Sequence, residues 1–247
     1  DHTKFNQDIN TKQVTVGGNT YTAWDVSNVT DMSYMFNWAH FFDKDIGNWD
    51  TSSVTTIKAM FKNDGTYTGT TSNGYHIYTF NQDINTKEVT VGSNTYTAWD
   101  TSSVTEMNSV FTGSGFFNRP SGYWNTSYVT TMAGMFSGDM YGAQNMYNQD
   151  ISTKQVTVGG NTYIAWDTSN VETMAWMFKH SSGGTSSPAV GENWDTSSVT
   201  TMYQMFYAAH DNFANLGTKE VTVGGNTYTA WDVSNVTTFA YMFHVCD

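Results

Sequence analysis

Apolar positions recur along this chain in one fixed phrase. Residues 23–36 read AWDVSNVTDMSYMF: a tryptophan, a run of small polar residues, then Val29, Met32, Met35 and Phe36. Those last four fall at i, i+3, i+6 and i+7, the spacing of one helix face. The pattern predicts a helix of about nine residues, with Ser27 or Asn28 as its N-cap. Ser103 with Glu106 reads as a capping box in the third copy. A helix that short is unstable alone in water and must be held by its neighbours.

The phrase occurs seven times, with its tryptophans at Trp24, Trp49, Trp99, Trp124, Trp166, Trp194 and Trp231. Eleven of the 13 methionines sit in its two methionine slots, so these residues are read as core. Successive tryptophans are 25, 50, 25, 42, 28 and 37 residues apart, which makes 25 the basic unit. Upstream lies an extended phrase, FNQDIN at 5–10 and 80–85, FDKDIG at 42–47 and YNQDIS at 147–152. It reads as a short strand with Phe5 and Ile9 inward. Strand, turn and short helix in 25 residues predict an α/β repeat, a leucine-rich-repeat-like solenoid of seven coils. Residues 1–247 then form one domain.

A 12-residue insert such as TKQVTVGGNTYT precedes every second phrase. Gly17-Gly18 between Val14-Thr15-Val16 and Asn19-Thr20-Tyr21-Thr22 reads as the tight turn of a β-hairpin. A two-residue turn pairs Val14 with Tyr21 and Thr15 with Thr20. Hairpins are thus expected at 11–23, 86–98, 153–165 and 218–230. They should form a ribbed flank, each lying over the insert-free unit beside it or against the next hairpin.

The WDxSxVTxMxxMF signature, with its FNQDI prelude, resembles the BspA-like surface-protein repeat, a leucine-rich-repeat relative of bacterial and some protist cell surfaces. The resemblance runs from residue 5 to residue 243. It implies a right-handed solenoid, extracellular display, a role in adhesion or surface assembly, and no catalytic residues. The hairpins and the long loop at 62–79 are additions to that pattern.

Charge narrows the function classes. With 22 acidic and 10 basic side chains the net charge is −12, which repels phosphate backbones and anionic lipids. Nucleic acid is therefore not an expected partner, and no 18-residue apolar run offers a membrane span. Cys246 is the one cysteine, so no disulfide framework or multi-cysteine zinc site can form within the chain. Neither HExxH nor a phosphate-binding glycine loop occurs. The six histidines lack ligand spacing, and the sequons at Asn28, Asn125 and Asn235 recur with the turn phrase.

Three sets of side chains remain as candidates. Asp25, Asp50, Asp100, Asp167, Asp195 and Asp232 follow the tryptophans and would form a carboxylate row, either capping turns or holding calcium, the one cofactor worth considering. Tyr67, Tyr75, Tyr78, Tyr141 and Tyr147 lie outside the repeat phrase and suit a partner surface. Thr15, Thr20 and Thr22 give the hairpins a threonine face, either ordinary solvent-side chemistry or a binder of ice or glycan.

The expected function is non-enzymatic: an extracellular or cell-surface repeat protein that holds a host or neighbouring-cell protein or glycan. The alternative is a filament or surface-layer subunit that stacks end to end on copies of itself. A surface-acting hydrolase has no constellation behind it.

Overall fold

In the computed structural model, which describes residues 5–63, 80–138, 144–182, 191–210 and 216–246, the seven phrases lie on one another in sequence order. Single parallel bridges run Asp31 to Thr56, Thr56 to Glu106, Glu106 to Thr131, Thr131 to Thr173, Thr173 to Thr201 and Thr201 to Thr238. Each phrase is therefore one rung of a stack.

The rungs are not the strand-turn-helix coils that the sequence predicts. Among the described residues there is no helix, and the regular strands belong to four separate two-stranded hairpins. The leucine-rich-repeat-like solenoid is overturned on that ground. The backbone shows why. In a helix every N–H turns back to its own segment. Here Met32, Tyr34, Phe36 and Trp38 donate to Thr56, Lys58, Met60 and Lys62 of the next rung, while Met35 and Asn37 close tight turns onto Met32 and Tyr34. Left-handed backbone recurs at one slot, at Tyr34, Ala59, Ser109, Gly134, Trp176, Gln204 and Tyr241. A residue at positive φ ends a right-handed helix. The i, i+3, i+6, i+7 spacing is thus the signature of consecutive turns that all face one core. The helix caps go with the helix: Ser27 takes part in a turn built on Asp25, and Glu106 is a bridge residue.

The upstream phrases are not strands either. Their backbone is held by side chains. The N–H of Asp43 donates to Asn6 Oδ1, that of Asn81 to Asp43 Oδ1, that of Asn118 to Asn81 Oδ1 and that of Asn148 to Asn118 Oδ1. One amide or carboxylate oxygen per rung replaces a backbone carbonyl, and the ladder stays satisfied without strand pairing.

Three columns of rings run through the stack. Consecutive indoles from Trp49 to Trp231 lie 6.1–6.4 Å apart, with planes within 22° of parallel. Phe36, Phe61, Phe111, Phe136, Phe178, Phe206 and Phe243 form the second column at 5.5–5.8 Å. Phe5, Phe42, Phe80, Phe117 and Tyr147 form the third at 5.8–6.0 Å. Each buried indole donates its Nε1–H to a backbone carbonyl of a neighbouring rung: Trp49 to Ile9, Trp99 to Ile46, Trp124 to Ile84, Trp166 to Ser121, Trp194 to Ile151 and Trp231 to Gly191. Burial of such a ring contributes roughly 1.5–3 kcal/mol, and the bonded N–H removes the penalty of burying a polar group. Trp24 shares the slot but is 48% exposed, because it stands on the outer rung.

The hairpins are β1 (Lys12–Val16) with β2 (Asn19–Ala23), β3 (Lys87–Val91) with β4 (Asn94–Ala98), β5 (Lys154–Val158) with β6 (Asn161–Ala165), and β7 (Lys219–Val223) with β8 (Asn226–Ala230). In the first, Val14 faces Tyr21 and Thr15 faces Thr20, the register that a two-residue turn requires. Gly17 and Gly18 both have positive φ, as a type I′ turn demands. Thr11, Thr86, Thr153 and Thr218 tie the base of each hairpin by donating to the carbonyls of Trp24, Trp99, Trp166 and Trp231. Those four tryptophans have φ near 50°, which lets the chain re-enter the rung, whereas the insert-free Trp49, Trp124 and Trp194 do not.

Candidate functional site

The carboxylate row is a row of turns. In all seven rungs the Oδ1 of the residue after tryptophan accepts from the N–H two positions on: Asp25 from Ser27, Asp50 from Ser52, Asp100 from Ser102, Asn125 from Ser127, Asp167 from Ser169, Asp195 from Ser197 and Asp232 from Ser234. Asn125 fills the slot without a charge, so the geometry needs only the oxygen. The Ser27 hydroxyl and N–H hold the Asp25 carboxyl below its ordinary range, and the Ser234 N–H does the same for Asp232. Among the described residues no group of three or more His, Cys, Asp or Glu side chains is placed to share a metal ion. Asp8, Asp83 and Asp150 form ion pairs with Lys12, Lys87 and Lys154 at the hairpin bases.

Of the loop tyrosines, Tyr67, Tyr75, Tyr78 and Tyr141 lie outside the described residues. Tyr147 is not at the surface. It is 4% exposed, closes the third ring column, and its hydroxyl lies 2.7 Å from that of Ser121. Burial pushes its phenol far above the usual range. Its place was visible in YNQDI, where it holds the slot of Phe5 and Phe80.

The threonine faces are stepped. Thr15 and Thr20 share a hydrogen bond of 2.8 Å, as do the matching pairs of the last hairpin, and Gln13 donates to Thr22. Each later hairpin lays its turn on this face of the one before. A side-chain carbon on Gly159 would lie 2.9 Å from Glu88 Oε2, and one on Gly224 would lie 2.4 Å from Ile164 Cδ1. Val91 and Val158 are buried against the preceding hairpin, whereas Val16, with none before it, is 62% exposed. The tyrosines on the other face anchor the hairpins to the insert-free rungs: the hydroxyls of Tyr96, Tyr163 and Tyr228 donate to the carbonyls of Asn48, Tyr123 and Asn193. The threonines are thus spread over four separate two-stranded sheets, not one continuous surface.

One surface feature was missed by sequence reasoning. The turn slot that holds Ala59, Ser109 and Gly134 on rungs two to four carries Trp176 and Tyr241 on rungs five and seven, and on rung six Tyr203 stands just before Gln204 in that slot. Trp176 meets Tyr203 edge to face at 5.6 Å and 85°, and Tyr203 meets Tyr241 at 6.2 Å and 86°. Tyr241 stacks on His244 at 5.5 Å. Beside them Lys179 lies over the Tyr207 ring at 5.2 Å, and Tyr207 meets His180 and His244 edge on. Trp176 is 42% and Tyr241 56% exposed. The available signal was the departure from the repeat, since Trp176 is a tryptophan outside the tryptophan slot.

No helix among the described residues is long and apolar enough to cross a membrane. No curated protein and no solved structure gives a significant match to the chain. A model of the family described as Mycoplasma protein of unknown function, DUF285, matches three overlapping stretches, residues 2–95, 85–217 and 164–247. Those stretches together span every rung and every hairpin, and the chain is a repeat protein that belongs to this family.

Proposed function

We propose that the chain is a non-enzymatic adhesion module that works outside the cell or on its surface, where it holds a protein or glycan of another surface. The observation that carries this reading is the use made of its polar side chains. Asparagine, Asp43 and threonine side chains bind rung to rung, and the aspartates after the tryptophans hold turns, so the residue types that would serve catalysis serve as struts. What is left for function is a long outer surface with exposed aromatic side chains, the kind of surface that marks interaction sites. The resemblance of the WDxSxVTxMxxMF phrase to BspA-like surface repeats supports display outside the cell. Purified chain, labelled and titrated onto intact animal or bacterial cells, should bind saturably. Absence of saturable binding to any surface offered would overturn the reading.

A second reading is end-to-end assembly. The outer rungs expose apolar side chains of slots that inner rungs cover, Trp24 and Met35 on the first and Phe239 and Phe243 on the last. Such faces would accept another rung, whether from a second copy or from further repeats of a longer chain. Concentration-dependent filaments in electron micrographs would support it, and a monomer at every concentration would oppose it.

A further inference from the structure

We propose that the outer side of the first rung, built by Tyr21 and Trp24, is a seat for an insert-free rung of another repeat protein with this phrase. The same seat refuses the hairpin-bearing last rung of a second copy. The proposal goes beyond the end-to-end reading, because it replaces a second copy with a partner of the other rung type.

Inside the chain, rungs three, five and seven grip the insert-free rung before them in one way. Three donors converge on one four-residue segment. The N–H groups of Trp99, Trp166 and Trp231 donate to the carbonyls of Trp49, Trp124 and Trp194. Their indole Nε1–H groups reach the carbonyls three residues earlier, those of Ile46, Ser121 and Gly191. The hydroxyls of Tyr96, Tyr163 and Tyr228 donate to Asn48, Tyr123 and Asn193, the residues directly before those tryptophans. The contact is thus made three times over with the same atoms.

Rung one carries the same three donors. Trp24 and Tyr21 hold the places of Trp99 and Tyr96. Among the described residues the Trp24 N–H, its Nε1–H and the Tyr21 hydroxyl have no hydrogen-bond partner. Both side chains are half exposed, whereas Trp99 and Trp166 are fully buried. The backbone is already set, with φ 50° at Trp24 against 49° at Trp99, and the first hairpin has the register of the second. Donors held in the bound geometry lose little freedom when their acceptors arrive.

The acceptors select the partner. They belong to a segment such as Ile46-Gly47-Asn48-Trp49, in which the tryptophan follows the extended phrase directly. The last rung of a second copy has no such segment. The residues before Trp231 run in β8, where Ala230 pairs with Lys219 and Tyr228 with Val221. The Trp231 carbonyl already accepts from the Thr218 hydroxyl, and Trp231 has the left-handed φ that Trp49, Trp124 and Trp194 lack. Direct stacking would also set two hairpins one rung apart, about 5 Å, where the chain keeps them two rungs apart, about 10 Å.

The test is sedimentation velocity of three chains over a range of concentrations. The first is the chain itself. The second lacks residues 218–229, so that Leu216-Gly217 runs directly into Ala230-Trp231 and the last rung has no hairpin. The third carries a copy of residues 41–63 after residue 247, which adds an insert-free eighth rung at the basic spacing. The first should stay monomeric, and the other two should form linear oligomers. Labelled first chain should join the oligomers of either variant. Tyr21→Phe in the labelled chain removes one seat donor and should weaken that joining about fivefold. Tyr128→Phe, at an exposed tyrosine of rung four, should leave it unchanged. The third chain keeps all seven rungs, so it serves if the second does not fold. Oligomers of the first chain as readily as of the variants would overturn the proposal and leave direct stacking of copies standing. Monomers throughout would overturn both. Joining that Tyr21→Phe leaves unweakened would overturn the seat while end-to-end contact stands.

Discussion

The indole of Trp49 lies 6.4 Å from that of Trp99, their planes 8° apart, although 50 residues separate them in the chain. Each indole is fully buried. The tryptophan slot is therefore a contact between rungs before it is anything else, and it builds one of the three ring columns of the core.

Trp99→Ala removes a ring packed between Trp49 and Trp124. The expected loss is about 3–5 kcal/mol, the usual range for a buried aromatic ring cut to alanine. Trp24→Ala, in the same phrase but half exposed, should cost about 1 kcal/mol or less. Urea unfolding followed by circular dichroism separates the two.

Tyr147→Phe should cost about 1–2 kcal/mol, because it strands the buried Ser121 hydroxyl. Adding Ser121→Ala should restore most of the loss, since both partners are then apolar. The thermal unfolding midpoints of the two single variants and the double variant decide it.

Alkaline pH should free the hairpins. Burial pushes the phenols of Tyr163 and Tyr228 up to about 12 from 10.0. The folded chain keeps protons that the unfolded chain gives up, so their contribution is whole below pH 10 and fades as pH rises to about 12. At the acid end Asp25 is held below 3.8 by its Ser27 bonds, so its contribution is whole above that pH and fades below it. Hydrogen exchange followed as pH rises from 10 towards 12 should show β5 to β8 opening before the core rungs.

Deleting residues 86–97 removes the Tyr96 bond to Asn48 and the face on which the Gly159 turn rests. Amide protection should fall on rung two and in the third hairpin together. Protection lost in the third rung alone would show that the hairpins do not brace one another.

The hairpins and the stacking were readable because each rests on a local signal that nothing else produces. Gly17-Gly18 demands a tight turn, and seven copies of WD…MF demand a shared environment. The rung's backbone was not readable. Val29, Met32, Met35 and Phe36 carry helical spacing, yet Tyr34, a residue that is not glycine, has left-handed φ, and alternate N–H groups donate to the next rung. No propensity rule places a tyrosine there, because tertiary packing overrides it. The asparagine ladder was equally hidden, since Asn6 and Asn81 look like strand residues until the donor N–H of the next rung is seen. The cluster of Trp176, Tyr203 and Tyr241 showed itself only as exceptions to a repeat, at positions that a consensus discards.

The account stands on adjacent phrases being adjacent rungs. Cysteine pairs in a Cys246→Ser background test that directly, because a disulfide needs Cα atoms within about 7 Å. Thr131→Cys with Thr173→Cys, joined by a parallel bridge, should oxidise readily, and so should Thr173→Cys with Thr201→Cys. Thr131→Cys with Thr201→Cys, two rungs apart, should stay reduced within one molecule. Cross-linking of that last pair as readily as the first would contradict the stack.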